Sequence, residues 1–323
     1  TMGTEKRDVT FRDLMNRLLL DSHRSWELTL MPAVVDILEM EDVLFHHDSA
    51  VMMPENPQGR SSKDGSPPGE GQENITGIKA LALVFQHLDF YPGKKLVIAG
   101  HADTSGQPDY NFKLSKLRAE GVLSLLEGDA GRWADICYEK QKIEDYQQIL
   151  GYFASHAPYH WPCDPGGATD SWNAATKEAT SNFIKSYNTD FADKQDPKLP
   201  PLAPDLAESV EKDGRKRWMK DLWTAVYELY TAEIARVFLE TRGGVENRRR
   251  HLRDDPRIWV DAKRKVLGCG ESFPIDEKEK SNYRSQKNRR VEILFFDGNK
   301  APVLDCPADI QTCLLYTSDA ADE

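Results

Sequence analysis

The stretch Ile98-Ala-Gly-His-Ala-Asp-Thr-Ser-Gly106 crowds an imidazole, a carboxylate and two hydroxyls into one short segment, and Arg118 follows within the next periodic stretch. A histidine with an aspartate two residues on could serve acid–base or metal chemistry. The remaining parts of such a site are missing. No second His or Cys cluster has ligand spacing, and the neighbours His46 and His47 would point to opposite faces of a strand. No nucleophile–base–orienter set stands out, nor a carboxylate pair suited to glycoside hydrolysis. The sequence is therefore read as non-enzymatic, with no catalytic residue, no metal and no cofactor. Asp103 is left as an acid in a polar loop, and Arg118 as a base on the periodic stretch that follows. Taken singly, each has a plainer reading: a turn or capping aspartate, and a solvated helix arginine.

The elements around this pair can be read from periodicity. Asn74 suits an N-cap for a helix over 75–90, with Ile75, Ile78, Ala82, Phe85 and Leu88 at helical spacing. Pro92-Gly93 ends it. Residues 95–100 form a strand whose consecutive Leu96, Val97 and Ile98 imply burial on both faces. Residues 101–109 are a polar loop, and 111–126 a second helix. Upstream, alternation over 43–49 predicts a short strand, and the Gly, Ser and Pro of 54–73 a long loop. Residues 1–40 read as the end of a preceding module.

Residues 127–262 then stand where a short connection would be expected. They are read as an all-helical unit. Helices are expected near 143–153 and over 174–187, then a proline-rich linker within 196–210 and a long helix over 211–242. Strands follow at 265–268 and 291–296.

Composition narrows the function classes. The 323 residues are 29% charged and 39% hydrophobic, ordinary for a globular chain. The net charge of −11 offers no global attraction for nucleic acid. No run approaches the ~20 apolar residues of a transmembrane helix. Any membrane attachment would lie before Thr1. The terminal run 313–323 resembles the translation of a sequencing adapter, which would make the chain a truncated metagenomic reading frame. Setting it aside brings the charge to −8 and leaves Cys137, Cys163, Cys269 and Cys306, without CxxC spacing.

Four ordered blocks then carry a resemblance. Phe45 with Asp48-Ser49-Ala50 is the first, and Gly100, His101, Asp103 and Gly106 the second. The third is Asn111, Leu114, Ser115, Arg118 and Ala119. The last is Gly268, Gly270-Glu271-Ser272 and Pro274 with Asn288-Arg-Arg-Val-Glu-Ile293. Together they resemble the OmpA-like peptidoglycan-binding domain of the OmpA/Pal/MotB family, over 41–126 plus 263–300, with residues 301–312 as a tail. The resemblance implies an α+β fold: a βαβαβ sandwich with a mixed sheet, interrupted here by the helical insertion.

The resemblance also implies a ligand, the peptidoglycan stem peptide with its diaminopimelate. Asp103 would accept from that residue's ammonium and Arg118 would clamp its carboxylate. Asn111, Thr104, Gly106, Leu114, Asn288 and Arg289 would complete the site. Ala102 departs from the Thr commoner there. The implied location is the bacterial cell envelope, on the periplasmic face of the outer membrane, with other envelope proteins as further partners. Within the insertion, Trp172, Thr176, Ala179 and Phe183 resemble a small three-helix peptidoglycan-binding module over 141–195; Asn173 and Ile184 depart from its pattern. Two rival readings stand: a structural component of an envelope-spanning secretion or contractile injection apparatus, and a lytic enzyme whose catalytic part lies outside the chain.

Overall fold

The computed structural model describes residues 35–40, 45–55, 77–208, 210–212, 214–240, 251–274, 277–278, 280–285, 288–299 and 301. The fold is α+β. Its principal sheet contains β1 (Val35–Met40), β2 (Lys94–Gly100), β5 (Val266–Gly268) and β6 (Val291–Asp297), in the order β1-β6-β2-β5. β6 runs antiparallel to β1 and β2, while β2 and β5 are parallel, so the sheet is mixed.

Alternation along β2 and β6 divides the side chains between two faces. Leu96, Ile98, Ile293 and Phe295 join the main core, whereas Val97 and Phe296 form a smaller cluster on the other face. Burial of Leu96, Val97 and Ile98 on both faces follows the sequence expectation.

Helices α1 (Gly77–Phe90) and α2 (Pro108–Glu127) match the two expected beside β2. Gly128, at φ 77°, caps α2 in the left-handed region. Helix α3 (Ala130–Lys140) follows at once, N-capped by Asp129, whose side chain accepts from the Arg132 amide at 3.0 Å. It was not anticipated. Then come α4 (Ile143–Ser155), α5 (Ala174–Ser186) and α6 (Lys220–Glu240).

Two expectations need correction. The strand expected over 43–49 is instead β1, at Val35–Met40, and residues 45–49 form a bend and turn with Asp48 at φ +62°. A strand therefore also lies inside the segment read as a preceding module. Second, α6 begins at Lys220, because β3 (Val210–Lys212) and β4 (Arg215–Arg217) make an antiparallel hairpin where helix was expected. Gly214, at φ +73°, supplies a left-handed backbone that favours that hairpin over helix. The insertion is thus not all-helical.

The inserted helices share one core with the sheet. Helix α6 packs on both α1 and α3, and α3 packs on α2. Trp133, Trp218, Trp223, Phe183 and Tyr230 lie in the same buried cluster as Ile98 and Phe85.

Candidate ligand-binding site

Sheet register assembles the site. Met40, Gly100, Gly268 and Val291 are level with one another, so the chain after β1, β2 and β5 and the chain before β6 share one end. Gly100 allows β2 to touch α2, since a Cβ there would meet the Ser115 carbonyl oxygen at 2.0 Å. Short bonds then tie the segments together. The His101 amide donates to Arg290 O at 2.8 Å, the Ala102 amide to Gly270 O at 2.7 Å, and the Gly270 amide to Ser115 Oγ at 2.9 Å.

Asp103 and Arg289 are a buried ion pair, with Arg289 Nη1 donating to Asp103 Oδ2 at 2.6 Å. The Ser285 amide reaches the same oxygen at 3.3 Å. On Oδ1, Asp103 accepts from the Ser105 amide at 3.2 Å and from the Ser105 hydroxyl. Burial pushes the Asp103 carboxyl upward, but the bonds from Ser105 and Arg289 outweigh it and hold the group below the usual carboxylate range.

Arg118 is fully buried. Its Nε donates to Ser49 O at 2.9 Å and its Nη2 to His46 O at 3.2 Å, and its guanidinium lies 5.3 Å from the Phe45 ring centre. Burial and the neighbouring Arg289 bring its pKa down to about 9, against the fields of Asp103 and Asp48, so it stays charged at neutral pH. Arg118 is therefore in the field of Asp103 but not its ion-pair partner; Arg289 is. Two buried donors, Arg118 Nη1 and Arg289 Nε, have no hydrogen-bond partner among the described residues.

The other expected residues take distinct positions. Asn111 Nδ2 donates to Asp103 O at 3.1 Å and to Glu271 Oε2 at 2.6 Å, bracing the loop. Thr104 Oγ1 donates to Lys280 O at 2.8 Å and accepts from the Tyr283 amide at 3.0 Å. Gly106 turns the loop at φ +98°. Asn288 is buried, and its amide donates to Ser285 Oγ at 3.3 Å. Leu114 packs with Ala50 and Ile136 in a small apolar cluster.

At the rim, the Tyr110 hydroxyl donates to Asp48, and Lys140 Nζ lies 4.6 Å from the Tyr110 ring centre. Burial, Arg284 and Arg289 lower the His47 pKa, while Asp103 and Asp48 oppose them. Among the described residues no group of His, Cys, Asp and Glu could hold a metal, and no helix is long and apolar enough to cross a membrane.

Sequence reasoning missed two contributors. Ser285 lies in a polar stretch with no pattern of its own. Asp145 lies in the insertion, far along the chain; its one signal was an acid at the third position of a helix, where it accepts from the Lys142 amide at 2.6 Å.

No family model matches the chain, and no solved structure matches it. The chain is 32% identical over 79 residues to the peptidoglycan-associated lipoprotein of Haemophilus influenzae, an alignment covering 23% of this chain and 52% of that protein. This chain thus spans about half the length of the curated relative it matches, and what it is similar to is part of a peptidoglycan-associated lipoprotein.

Proposed function

We propose that this protein binds peptidoglycan non-covalently, through the diaminopimelate of the stem peptide, and anchors an envelope protein to the cell wall from the periplasmic side. The observation that carries this reading is the buried Asp103–Arg289 pair beside Arg118, with two guanidinium N–H groups unpartnered among the described residues. An unmatched buried donor costs about 1–3 kcal/mol, so the site favours an incoming acceptor. The amino-acid centre of diaminopimelate offers a carboxylate for the guanidinium groups and an ammonium for Asp103. Similarity to a peptidoglycan-associated lipoprotein supports the same ligand class.

Co-sedimentation with purified diaminopimelate-containing sacculi tests it. The wild type should pellet with sacculi, and Asp103→Ala and Arg118→Ala should each weaken binding by about 2–5 kcal/mol. A wild type that stays in the supernatant would sink the reading. Release of soluble muropeptides would instead identify a lytic enzyme.

A further inference from the structure

Among the contacts from the insertion to the candidate site is a buried carboxylate. Asp145, in the first turn of α4, is fully buried. Its Oδ1 lies 2.6 Å from His46 Nδ1, and its Oδ2 accepts from Ser49 Oγ at 2.8 Å. Those two residues supply the carbonyl oxygens that hold Arg118. The turn is further closed by the Ser49 amide donating to His46 O at 3.1 Å and the Val51 amide to Ser49 Oγ at 3.0 Å. The Ala50 amide reaches Lys140 O, at the end of α3, at 3.2 Å.

The geometry points to Asp145 as the positioning residue for Arg118: a carboxylate from the inserted unit fixes the 46–49 turn, and the turn fixes the guanidinium. This assignment rests on the peptidoglycan reading for its ligand, but the coupling itself is a property of the fold. The chemistry favours a tight tie. Burial works against protonation of His46, yet Asp145 outweighs it and holds the imidazole pKa above its ordinary range. Burial likewise pushes the Asp145 carboxyl upward, against the bonds from His46, the Lys142 amide and Ser49. Glu144 strengthens the charge on His46 and Lys142 opposes it. Removing the carboxylate leaves the turn without its common acceptor, and Arg118 then loses the fixed placement of both its carbonyl partners. The inserted unit is on this account part of the binding machinery, even without a ligand of its own.

The test uses the full chain with 15N-labelled arginine and meso-diaminopimelate as the soluble probe. Wild type and Asp145→Ala are compared by titration, by circular dichroism and by the Arg118 Nε–H resonance, which reports its bond to Ser49 O. Asp145→Ala should stay folded, bind the probe roughly ten- to hundredfold more weakly, and show a displaced or broadened Arg118 Nε–H signal. A purely structural role would leave that signal in place in the folded variant. Should Asp145→Ala not fold, His46→Gln removes only the imidazole tie and should shift the signal in the same direction to a smaller extent. An unmoved Arg118 signal, or wild-type affinity in the folded variant, overturns the assignment. A wild type that ignores the probe counts against the peptidoglycan reading alone, and the Arg118 signal still decides the positioning claim.

Discussion

Asp103 takes four hydrogen bonds at one buried carboxylate, one of them from the Arg289 guanidinium. Removing one member of a buried ion pair costs about 3–5 kcal/mol, because the other is left uncompensated. Asp103→Ala should therefore lower stability by roughly that amount, read from the urea midpoint, besides weakening sacculus binding. The pH sign follows from the depressed pKa. The carboxylate's contribution is fully present above its ordinary value and is lost as pH falls through the folded one. Wild type should thus lose more stability than Asp103→Asn as pH drops from about 5 toward 2, by paired urea titrations. Equal losses would show that Ser105 and Arg289 do not hold Asp103 ionised. The family resemblance of the sequence blocks singled out Asp103, Arg118 and Arg289, because motif positions are visible in one dimension. Which arginine pairs with Asp103 was not visible, since Arg289 reaches it across a gap of 186 residues.

The β2–loop–α2 unit depends on a close approach that only glycine permits at position 100. With a Cβ 2.0 Å from Ser115 O, Gly100→Ala must push the strand off the helix. It should cost at least about 1–3 kcal/mol by urea denaturation, as overpacking does, and should weaken binding by shifting the 101–106 loop. An unchanged midpoint would show that the strand and helix can separate without penalty. Elements with strong periodicity, α1, β2, α2 and β6, are legible from sequence because apolar spacing follows burial. The edge strand β1 was misplaced, since an edge strand gains from pairing with β6 as much as from its own pattern. The β3–β4 hairpin was hidden because its short strands lie beside a strongly helical segment, where only Gly214 signals otherwise.

At the scale of the molecule, the insertion and the sheet share one apolar core, with α6 laid across α1. The 141–195 segment leans on a residue outside it. Trp218 stacks on Tyr146 at 4.9 Å and 12°, and its amide donates to Gln141 Oε1 at 2.7 Å. A fragment limited to 141–195 should lack helical structure by circular dichroism, whereas the whole chain should unfold in one calorimetric transition. Two separated transitions would show that the insertion is an independent unit. The sequence by itself determined the kinds of groups in the site and the strongly periodic helices and strands, because each depends on local spacing and side-chain chemistry; the α+β class is what the family resemblance implied. The tertiary structure alone decided that Arg289 is the partner of Asp103, that Arg118 hangs from the 46–49 turn, and that Asp145 braces that turn from the insertion. Those outcomes depend on which distant segments leave the same end of one sheet, and sheet order is set by packing between segments far apart in the chain.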